Sequence, residues 1–252
     1  MPNHIIFPVG KNTDLSEKGE PTIVVSELFT NTIQGEGVSS GVPAVFLRLT
    51  NCTLNCVWCD TTEVWRFGTK VGISSLLSFM EGGGVIDYLY KGAHLVLTGG
   101  SPMLQQKKLI LFREKFSTKF NFTPYFEIEN ECVIPPDHDF DFIDQWNNSP
   151  KLSNSGMKLS SRYRPEVIKK TAGLRNSWFK FVISCEEDIE EIKQNFIKPK
   201  LISESQVILM PCGQTLAELS AVRESVVEFS VREGWRFSDR LHVTIWDKKT
   251  GV

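Results

Sequence analysis

Three cysteines lie close together in the segment NCTLNCVWCD: Cys52, Cys56 and Cys59. Three thiolates with this C-x3-C-x2-C spacing can converge on one metal centre, and three ligands to a four-iron cluster leave one iron open to a small chelating molecule. A zinc site would need a fourth ligand nearby, and the nearest histidines, His94 and His138, lack the spacing of a zinc finger. The spacing therefore favours a 4Fe–4S cluster. A zinc or structural cluster site and ordinary buried cysteines are the alternatives.

The cysteines belong to a chain in which apolar runs alternate with helical patterns. Predicted strands occupy 22–29, 44–52, 94–100, 124–130, 141–146, 178–184, 206–211 and 241–246. Predicted helices occupy 73–90, 103–118, 164–172, 186–196 and 215–234. This alternation predicts an α/β fold with a mostly parallel sheet, either open or curved into a partial barrel. Reactive loops then lie at the carboxyl ends of the strands, where the cysteine segment falls.

Composition narrows the class of protein. With 252 residues, 41% hydrophobic and 23% charged, the chain suits one domain, predicted over 22–252, after a loosely attached N-terminal arm over 1–21. A formal charge of −2 gives no electrostatic basis for binding nucleic acid. No apolar stretch approaches the ~20 residues of a membrane span, and the first residues do not resemble a signal peptide. We therefore expect a cytoplasmic protein.

The cysteine segment resembles the signature of the radical S-adenosylmethionine (SAM) superfamily, which also has an aromatic residue before the last cysteine, here Trp58. The resemblance implies a partial (β/α)6 barrel and a 4Fe–4S cluster whose open iron is chelated by the methionine amino and carboxylate groups of SAM. An electron from the cluster would then break the sulfonium bond to give a 5′-deoxyadenosyl radical. By the same resemblance, Trp58 packs beside the adenine.

The segment FTNTIQGEGVSSGVPAVFLRL, upstream of the cysteines, gives a more specific resemblance, to the 7-carboxy-7-deazaguanine synthase family. In that family a QGEG turn and a following arginine bind a pterin, which implies substrate contacts for Ile33, Gln34, Gly35, Glu36 and Arg48. The glutamine and glutamate side chains suit the amide and amine edge of a pterin, and the glycine lets the backbone approach a flat ligand. The arginine suits the substrate carboxylate.

The residues after the third cysteine, and those that end the 94–100 run, extend this resemblance. In CDT, Asp60 is implied to contact SAM, and Thr61 to bind a Mg²⁺ ion that also holds the substrate, since a hydroxyl is a hard oxygen ligand. TGGSP resembles a strand end commonly written GGEP, which implies a substrate contact for Thr98 and SAM contacts for Gly100 and Ser101. The serine replaces the usual glutamate, so the contact with the amino group of SAM is weaker here or is made by another residue.

Later segments continue the resemblance in the same order along the chain. FEIENECVIPP is similar to a family segment EVETNGT and keeps Glu129 as a SAM contact, although the three following residues differ. NNSPKLS matches a Ser-Pro-Lys turn, which implies SAM contacts for Ser149, Pro150 and Lys151. RLHVTIWDKKTGV resembles the last strand and tail of the family and puts His242 near the substrate, although a lone histidine on an apolar strand is more often a core residue.

The resemblance implies an enzyme that converts 6-carboxy-5,6,7,8-tetrahydropterin to 7-carboxy-7-deazaguanine with loss of ammonia, in the biosynthesis of 7-deazapurines such as queuosine. Its cofactors would be the 4Fe–4S cluster, SAM and Mg²⁺. Its partners would be an electron donor such as flavodoxin or ferredoxin and a second copy of the chain, without direct contact with nucleic acid or membrane. Two alternatives share part of the pattern: another small radical enzyme, such as a glycyl-radical activating enzyme, and a non-catalytic metal-binding module.

Overall fold

Ten β-strands form one sheet in the part of the chain that the structure, a computed structural model, describes: residues 12–249 and residue 251. The strands are β1 (Thr13–Leu15), β2 (Thr22–Ile33), β3 (Pro43–Leu49), β4 (Thr69–Gly72), β5 (His94–Gly99), β6 (Phe126–Asn130), β7 (Gln145–Asn148), β8 (Ser177–Ile183), β9 (Val207–Pro211) and β10 (Arg236–Phe237). The α-helices are α1 (Thr62–Trp65), α2 (Ile73–Gly82), α3 (Val85–Tyr90), α4 (Gln106–Phe120), α5 (Leu159–Arg162), α6 (Pro165–Ala172), α7 (Glu186–Ile192), α8 (Leu216–Glu233) and α9 (Leu241–Trp246). Short 3₁₀ helices cover Gly37–Ser39, Pro102–Gln105, Ser153–Ser155 and Glu204–Gln206, and a π-helical turn over Lys193–Ile197 extends α7.

Seven consecutive strands form the parallel part of the sheet. The strand order is β1-β4-β2-β3-β5-β6-β7-β8-β9-β10, and each neighbouring pair from β3 to β10 is parallel. Near-continuous apolar sequences such as AVFLRL in β3 and HLVLTG in β5 suit strands that are covered on both faces. Helices α1 to α8 lie in the connections between parallel strands. The prediction of an α/β fold with a mostly parallel sheet is confirmed.

The edge of the sheet that contains β1 has both parallel and antiparallel strand pairs. Strand β2 is antiparallel to both β3 and β4, and β1 pairs with β4 in parallel. Strand β1 falls within the predicted N-terminal arm, so the described part of that arm contributes an edge strand. Residues 1–11 of the arm lie outside the described residues.

The sheet curls until its two sides meet. Strand β2 is third in the row and β10 is last. Seven strand spacings of about 4.8 Å would separate them by about 34 Å in a flat sheet. The chain after β2 nevertheless touches the chain after β10, because Gly37 N–H donates to Ser238 Oγ at 2.7 Å and Leu241 N–H donates to the Gly35 carbonyl at 2.8 Å. These contacts support the partial barrel, with the carboxyl ends of its parallel strands around one opening.

Polar side chains fill the space beneath this opening. Glu127 on β6 and Gln145 and Asn147 on β7 are each at most 5% exposed. Gln145 Nε2 donates to Ser39 Oγ at 2.7 Å, and Asn147 Nδ2 donates to Glu127 Oε2 at 2.9 Å. Buried polar groups are stable when such partners are present, so this network fixes the side chains under the opening.

The apolar core lies between the sheet and the helices. One cluster packs β2, β3 and β5 against α2, α3 and α4, and a second packs β8 and β9 against α6, α7 and α8. Among the helices of the described residues, none is both long enough and apolar enough to cross a membrane.

Two predicted strands were wrong in position or type. The strand predicted over 141–146 begins later, as β7, because Phe140 and Ile143 pack into the core from the loop that precedes it. The strand predicted over 241–246 is helix α9. Its apolar alternation is misleading because only Val243 is buried, and Asp247 N–H donates to the Val243 carbonyl at 2.8 Å, which closes a helical turn.

Candidate active site

One cavity of about 420 Å³ lies at the opening of the barrel. Its walls come from segments that are far apart in sequence. All but two of the predicted site residues line it: Ile33, Gln34, Gly35, Glu36, Arg48, Cys52, Cys56, Trp58, Cys59, Asp60, Thr61, Thr98, Gly100, Glu129, Ser149, Lys151 and His242. The remaining two, Ser101 and Pro150, are buried in the segments that border it.

The cysteine loop leaves β3 and rests against the end of β5. Asn51 turns the chain out of the strand with a φ of 65°, in the left-handed region that asparagine tolerates. Its carbonyl accepts a hydrogen bond from Ser101 N–H at 2.7 Å. A Cβ on Gly100 would lie 2.1 Å from that carbonyl oxygen and 2.8 Å from Cys52 Cβ. Glycine is therefore needed where the loop and the strand end touch.

The three thiols of the loop differ in acidity. Burial raises the pKa of Cys52 to about 11 and also raises the pKa of Cys56. At Cys59 the effect of burial is outweighed by hydrogen bonds with Thr62 and Trp65, and the pKa is lowered. Iron binds the thiolate form and displaces the proton, so cluster binding and loss of these protons are linked.

The chemistry of this donor set fits a 4Fe–4S cluster. Among residues 12–249 and 251, no group of three His, Cys, Asp or Glu side chains is arranged to hold a single metal ion. A four-iron cluster is wider than one ion and takes each thiolate on a different iron. The three thiols that line this cavity would hold such a cluster and leave its fourth iron to a ligand.

An aromatic ring and an ammonium group lie beside the cysteines. Lys151 Nζ is 5.5 Å from the centroid of the Trp58 ring and donates to Ser149 Oγ at 2.7 Å. Trp58 Nε1 donates to Asn154 Oδ1 at 3.2 Å, which fixes the indole. This wall combines a π-face, a hydroxyl and a cation, which are groups suited to a purine and a carboxylate.

Glu36, in the QGEG turn, meets a buried cation that the sequence analysis missed. Lys180 on β8 is 3% exposed, and its Nζ donates to Glu36 Oε2 and, at 3.0 Å, to Glu129 Oε2. Burial disfavours the charge on Glu36, but Lys180 and Arg240 outweigh it and hold the pKa of Glu36 well below its ordinary value. Burial lowers the pKa of Lys180, but the charges of Glu129 and Glu36 raise it by more. The net pKa of Lys180 is therefore above its ordinary value. For Glu129, burial and the charge of Glu36 prevail over Lys180, and the pKa is raised.

Arg240 joins the cysteine loop to the QGEG turn, and the sequence analysis missed it too. Its Nε donates to Glu36 Oε1 at 2.9 Å, while its other nitrogens donate to Asp60 Oδ2 and to the Gly213 carbonyl. Burial raises the pKa of Asp60, but the charge of Arg240 outweighs that effect and the net pKa falls. Because a planar guanidinium holds its partners in fixed directions, it fixes the loop and the turn relative to each other.

His242 packs against the QGEG turn. A Cβ on Gly35 would lie 2.0 Å from His242 Nδ1, so the glycine provides the space that the imidazole occupies. The imidazole Nε2 is 4.0 Å from Glu36 Oε1. Burial lowers the pKa of His242, and the nearby Glu36 does not fully offset that effect. A neutral imidazole therefore faces the cavity at neutral pH.

Gln34 makes its side-chain contacts within the protein. It is 2% exposed, and its Nε2 donates to Glu127 Oε2 at 3.3 Å and to Glu129 Oε1 at 3.2 Å. Its Oε1 accepts from Glu36 N–H at 3.3 Å. Both amide protons and the amide oxygen are thus engaged, so this side chain holds its neighbours in position.

Arg48 and Thr61 are fixed by neighbours inside the cavity. Arg48 Nε forms an ion pair with Glu27 Oε1 at 2.6 Å, and both side chains are largely buried. Thr61 Oγ1 lies 3.8 Å from Cys59 Sγ, next to the first turn of α1.

The two missed cations differ in how visible they are in the sequence. Lys180 interrupts the apolar run WFKFVIS, and a charge in the middle of a buried strand is a signal that points to a paired or functional group. Arg240 lies in the polar stretch FSDRLH, which has no comparable pattern. Its place in the site depends on the curl of the sheet.

Comparisons with known proteins agree with this geometry. A family model described as a 4Fe-4S single cluster domain matches residues 33–127, which include all three cysteines of the loop. The 7-carboxy-7-deazaguanine synthase of Pyrobaculum aerophilum is 32% identical over 234 residues, which cover 92% of this chain and 98% of that one. The chain belongs to the 7-carboxy-7-deazaguanine synthase family. The synthase of Halobacterium salinarum is 28% identical over 267 residues, covering 96% of this chain and 98% of its own.

A solved structure has the same fold. The crystal structure of QueE from Escherichia coli matches with a TM-score of 0.66 at 21% identity, covering 89% of this chain and 96% of that chain. Membership of the synthase family confirms the resemblance read from the sequence. The protein is a radical SAM enzyme of 7-deazapurine biosynthesis with an iron–sulfur cluster and SAM as cofactors, rather than a glycyl-radical activating enzyme or a zinc module.

Proposed function

We propose that this protein converts 6-carboxy-5,6,7,8-tetrahydropterin to 7-carboxy-7-deazaguanine with loss of ammonia. One observation supports this most: the cysteine loop, the QGEG turn and the His242 segment line the same cavity, although they lie in separate parts of the chain. The contacts of Arg240 with Glu36 and Asp60 join the turn to the loop. A cofactor on the cysteines and a flat substrate at the turn would therefore be close enough to react.

At the cofactor end, Cys52, Cys56 and Cys59 would hold the cluster. When bound, the cluster supplies the electron that cleaves SAM. The aromatic face of Trp58 would pack against the purine of SAM. The ammonium group of Lys151, which already contacts the Trp58 ring, would bind the carboxylate of SAM. Their role is to orient the cofactor and exclude water.

At the substrate end, Glu36 would accept hydrogen bonds from the amine and amide N–H groups of the pterin. Its lowered pKa supports this, because an ionised carboxylate is an acceptor and charge-assisted hydrogen bonds are the stronger ones. Arg48 would bind the substrate carboxylate while Glu27 holds its Nε at 2.6 Å. His242, neutral at its lowered pKa, would complete this wall as a hydrogen-bonding group. In this scheme Gln34 positions Glu36 and Glu129.

Thr61 is our candidate Mg²⁺ ligand. Its hydroxyl group lines the cavity next to Asp60 and the cysteine loop. Mg²⁺ commonly uses one or two protein oxygens and completes its shell with substrate oxygens and water, so one hydroxyl and a substrate carboxylate are suitable ligands. The ion would neutralise the carboxylate end of the substrate.

The family resemblance also supports a cytoplasmic homodimer that takes electrons from flavodoxin or ferredoxin and makes no direct contact with nucleic acid or membrane. Sedimentation velocity tests the dimer. Replacing dithionite by each reduced carrier in the activity assay tests the electron donor.

Anaerobic reconstitution tests the proposed reaction. Protein loaded with iron and sulfide is incubated with dithionite, SAM, Mg²⁺ and the carboxypterin, and a new deazapurine chromophore is followed by absorbance and identified by mass. The control replaces Cys52, Cys56 and Cys59 together with alanine, which should remove the brown colour and all turnover. A colourless wild type, a loaded and active triple variant, or a loaded wild type without product would each refute the proposal.

A further inference from the structure

Glu131 carries a carboxylate oxygen that has no partner. The residue follows β6 directly, is 6% exposed and lines the cavity. Its Oε1 accepts hydrogen bonds from Ser101 Oγ at 2.6 Å and from Thr53 Oγ1 at 2.8 Å. Its Oε2 is fully buried and has no hydrogen-bond partner in the part of the chain that the structure describes.

This arrangement points to a missing donor. A buried carboxylate oxygen without a partner is strongly unfavourable, and such groups in native proteins usually have a ligand, ion or water as their partner. The two hydroxyl donors hold the carboxylate from one side, so its orientation is set before any ligand arrives. A ligand that completes the group needs a hydrogen-bond donor, and a cationic nitrogen suits a carboxylate best.

The carboxylate lies next to the cysteine loop. Thr53 directly follows Cys52 in the chain, and its hydroxyl reaches Glu131. A molecule bound to a cluster on these cysteines would come within reach of the free oxygen. The neighbouring cation Lys151 is already engaged with Ser149 at 2.7 Å.

We propose that Glu131 Oε2 accepts a hydrogen bond from the α-amino group of the methionine part of SAM. The proposal rests on the proposed function, which brings SAM to the cluster. It makes Glu131 a binding residue that orients the amino acid end of the cofactor. It also accounts for Ser101, which supplies a hydroxyl to Glu131 while the carboxylate comes from the neighbouring strand.

The test compares two ligands in two proteins. Dissociation constants are measured by anaerobic equilibrium dialysis on reconstituted wild type and E131Q, for SAM and for 5′-methylthioadenosine, which has the adenosine part but no amino acid. We expect Glu131→Gln to weaken SAM binding about 10-fold or more, equal to about 1.4 kcal/mol, because a charge-assisted hydrogen bond is lost. Binding of methylthioadenosine should not change. Iron content per chain, measured on the same samples, shows that both proteins carry the same cluster.

Three further variants extend the test. Glu63→Gln makes the same change at an exposed carboxylate near the loop, with a side chain 86% exposed, and should leave both constants unchanged. The single variant E131S removes the carboxylate and should weaken SAM binding. The double variant S101E/E131S places a carboxylate at the end of the neighbouring strand instead and should recover most of that lost affinity. Equal SAM affinity in E131Q and wild type, or an equal loss for both ligands, overturns the inference and leaves the proposed function intact. A loaded wild type that does not bind SAM overturns both.

Discussion

Lys180 is the buried charge whose removal has the most predictable consequence. It lies between Glu36 and Glu129, and Lys180→Met keeps an unbranched side chain as far as Cε while it removes the ammonium group. Glu36 keeps Arg240 as a partner at 2.9 Å. Glu129 loses the one cation within 4.0 Å of its carboxylate among the described residues. The cost of the substitution therefore falls mainly on Glu129.

The size of the effect follows from the burial of the group. Removing one partner of a buried ion pair costs about 3–5 kcal/mol, and since Glu36 remains paired we expect about 3 kcal/mol near neutral pH. The pKa of Glu129 is already raised, first by burial and then by the charge of Glu36, and without Lys180 it rises further. The folded variant then keeps a proton on Glu129 that the unfolded chain releases near the ordinary value of 4.5. Folding stability of the variant therefore falls as pH rises above that value, by up to about 1.4 kcal/mol per pH unit.

Urea unfolding, followed by tryptophan fluorescence under anaerobic conditions, measures this effect. The unfolding midpoint of Lys180→Met should lie below that of the wild type, and the gap should be wider at about pH 8 than at about pH 5.5. The double variant Lys180→Met/Glu129→Gln has no unpaired carboxylate at this position, so it should recover part of the stability and lose the pH dependence. The reasoning is refuted if the gap is equal at both pH values, or if the double variant is no more stable than Lys180→Met.

Two other substitutions test the cysteine loop and the metal ligand. Gly100→Ala should lower both the thermal midpoint and the iron content after reconstitution, at a cost of about 1–3 kcal/mol, because its Cβ would lie 2.1 Å from the carbonyl of Asn51. Gly82→Ala, whose Cβ would meet nothing within 4 Å, is the control, and normal iron uptake by Gly100→Ala would contradict this account. Thr61→Ala should reduce the rate through a higher Mg²⁺ requirement, whereas Thr61→Ser keeps the hydroxyl and should behave like the wild type. An unchanged rate of Thr61→Ala across a magnesium titration would count against its role as a ligand.

Local patterns in the sequence were enough to find the parts of the site that depend on neighbouring residues. The C-x3-C-x2-C loop, the QGEG turn and the glycines after β5 each occupy a few consecutive positions, and their chemistry depends on that spacing. The apolar strands β3, β5, β8 and β9 were also clear because both faces of each strand are covered. These features predicted the parallel sheet and the edge at which the cavity lies.

Polar interior groups were harder to predict. Strand β7 has the sequence QWNN, and its polar side chains point into a hydrogen-bonded network, so no apolar pattern marks it. Helix α9 was predicted as a strand because six residues are too few for periodicity to decide, and its position is set by contacts with the turn after β2. Arg240 belongs to the cavity because the sheet curls, whereas Lys180 and Glu131 are brought to it by the pairing of strands that are far apart in sequence. Pairing over such sequence distances is not encoded in any short segment.

The contact between Arg240 and Glu36 can form only after nearly the whole chain has been synthesised. The two residues are 204 positions apart, so at about 5–20 residues per second a ribosome completes the second about 10–40 s after the first. During that interval the cysteine loop has been synthesised, while the residue that ties it to the QGEG turn has not. Contacts between distant parts of a chain also form slowly. Until the segment around Arg240 has been synthesised, the hydrogen bonds that join the cysteine loop to the QGEG turn through this residue cannot form.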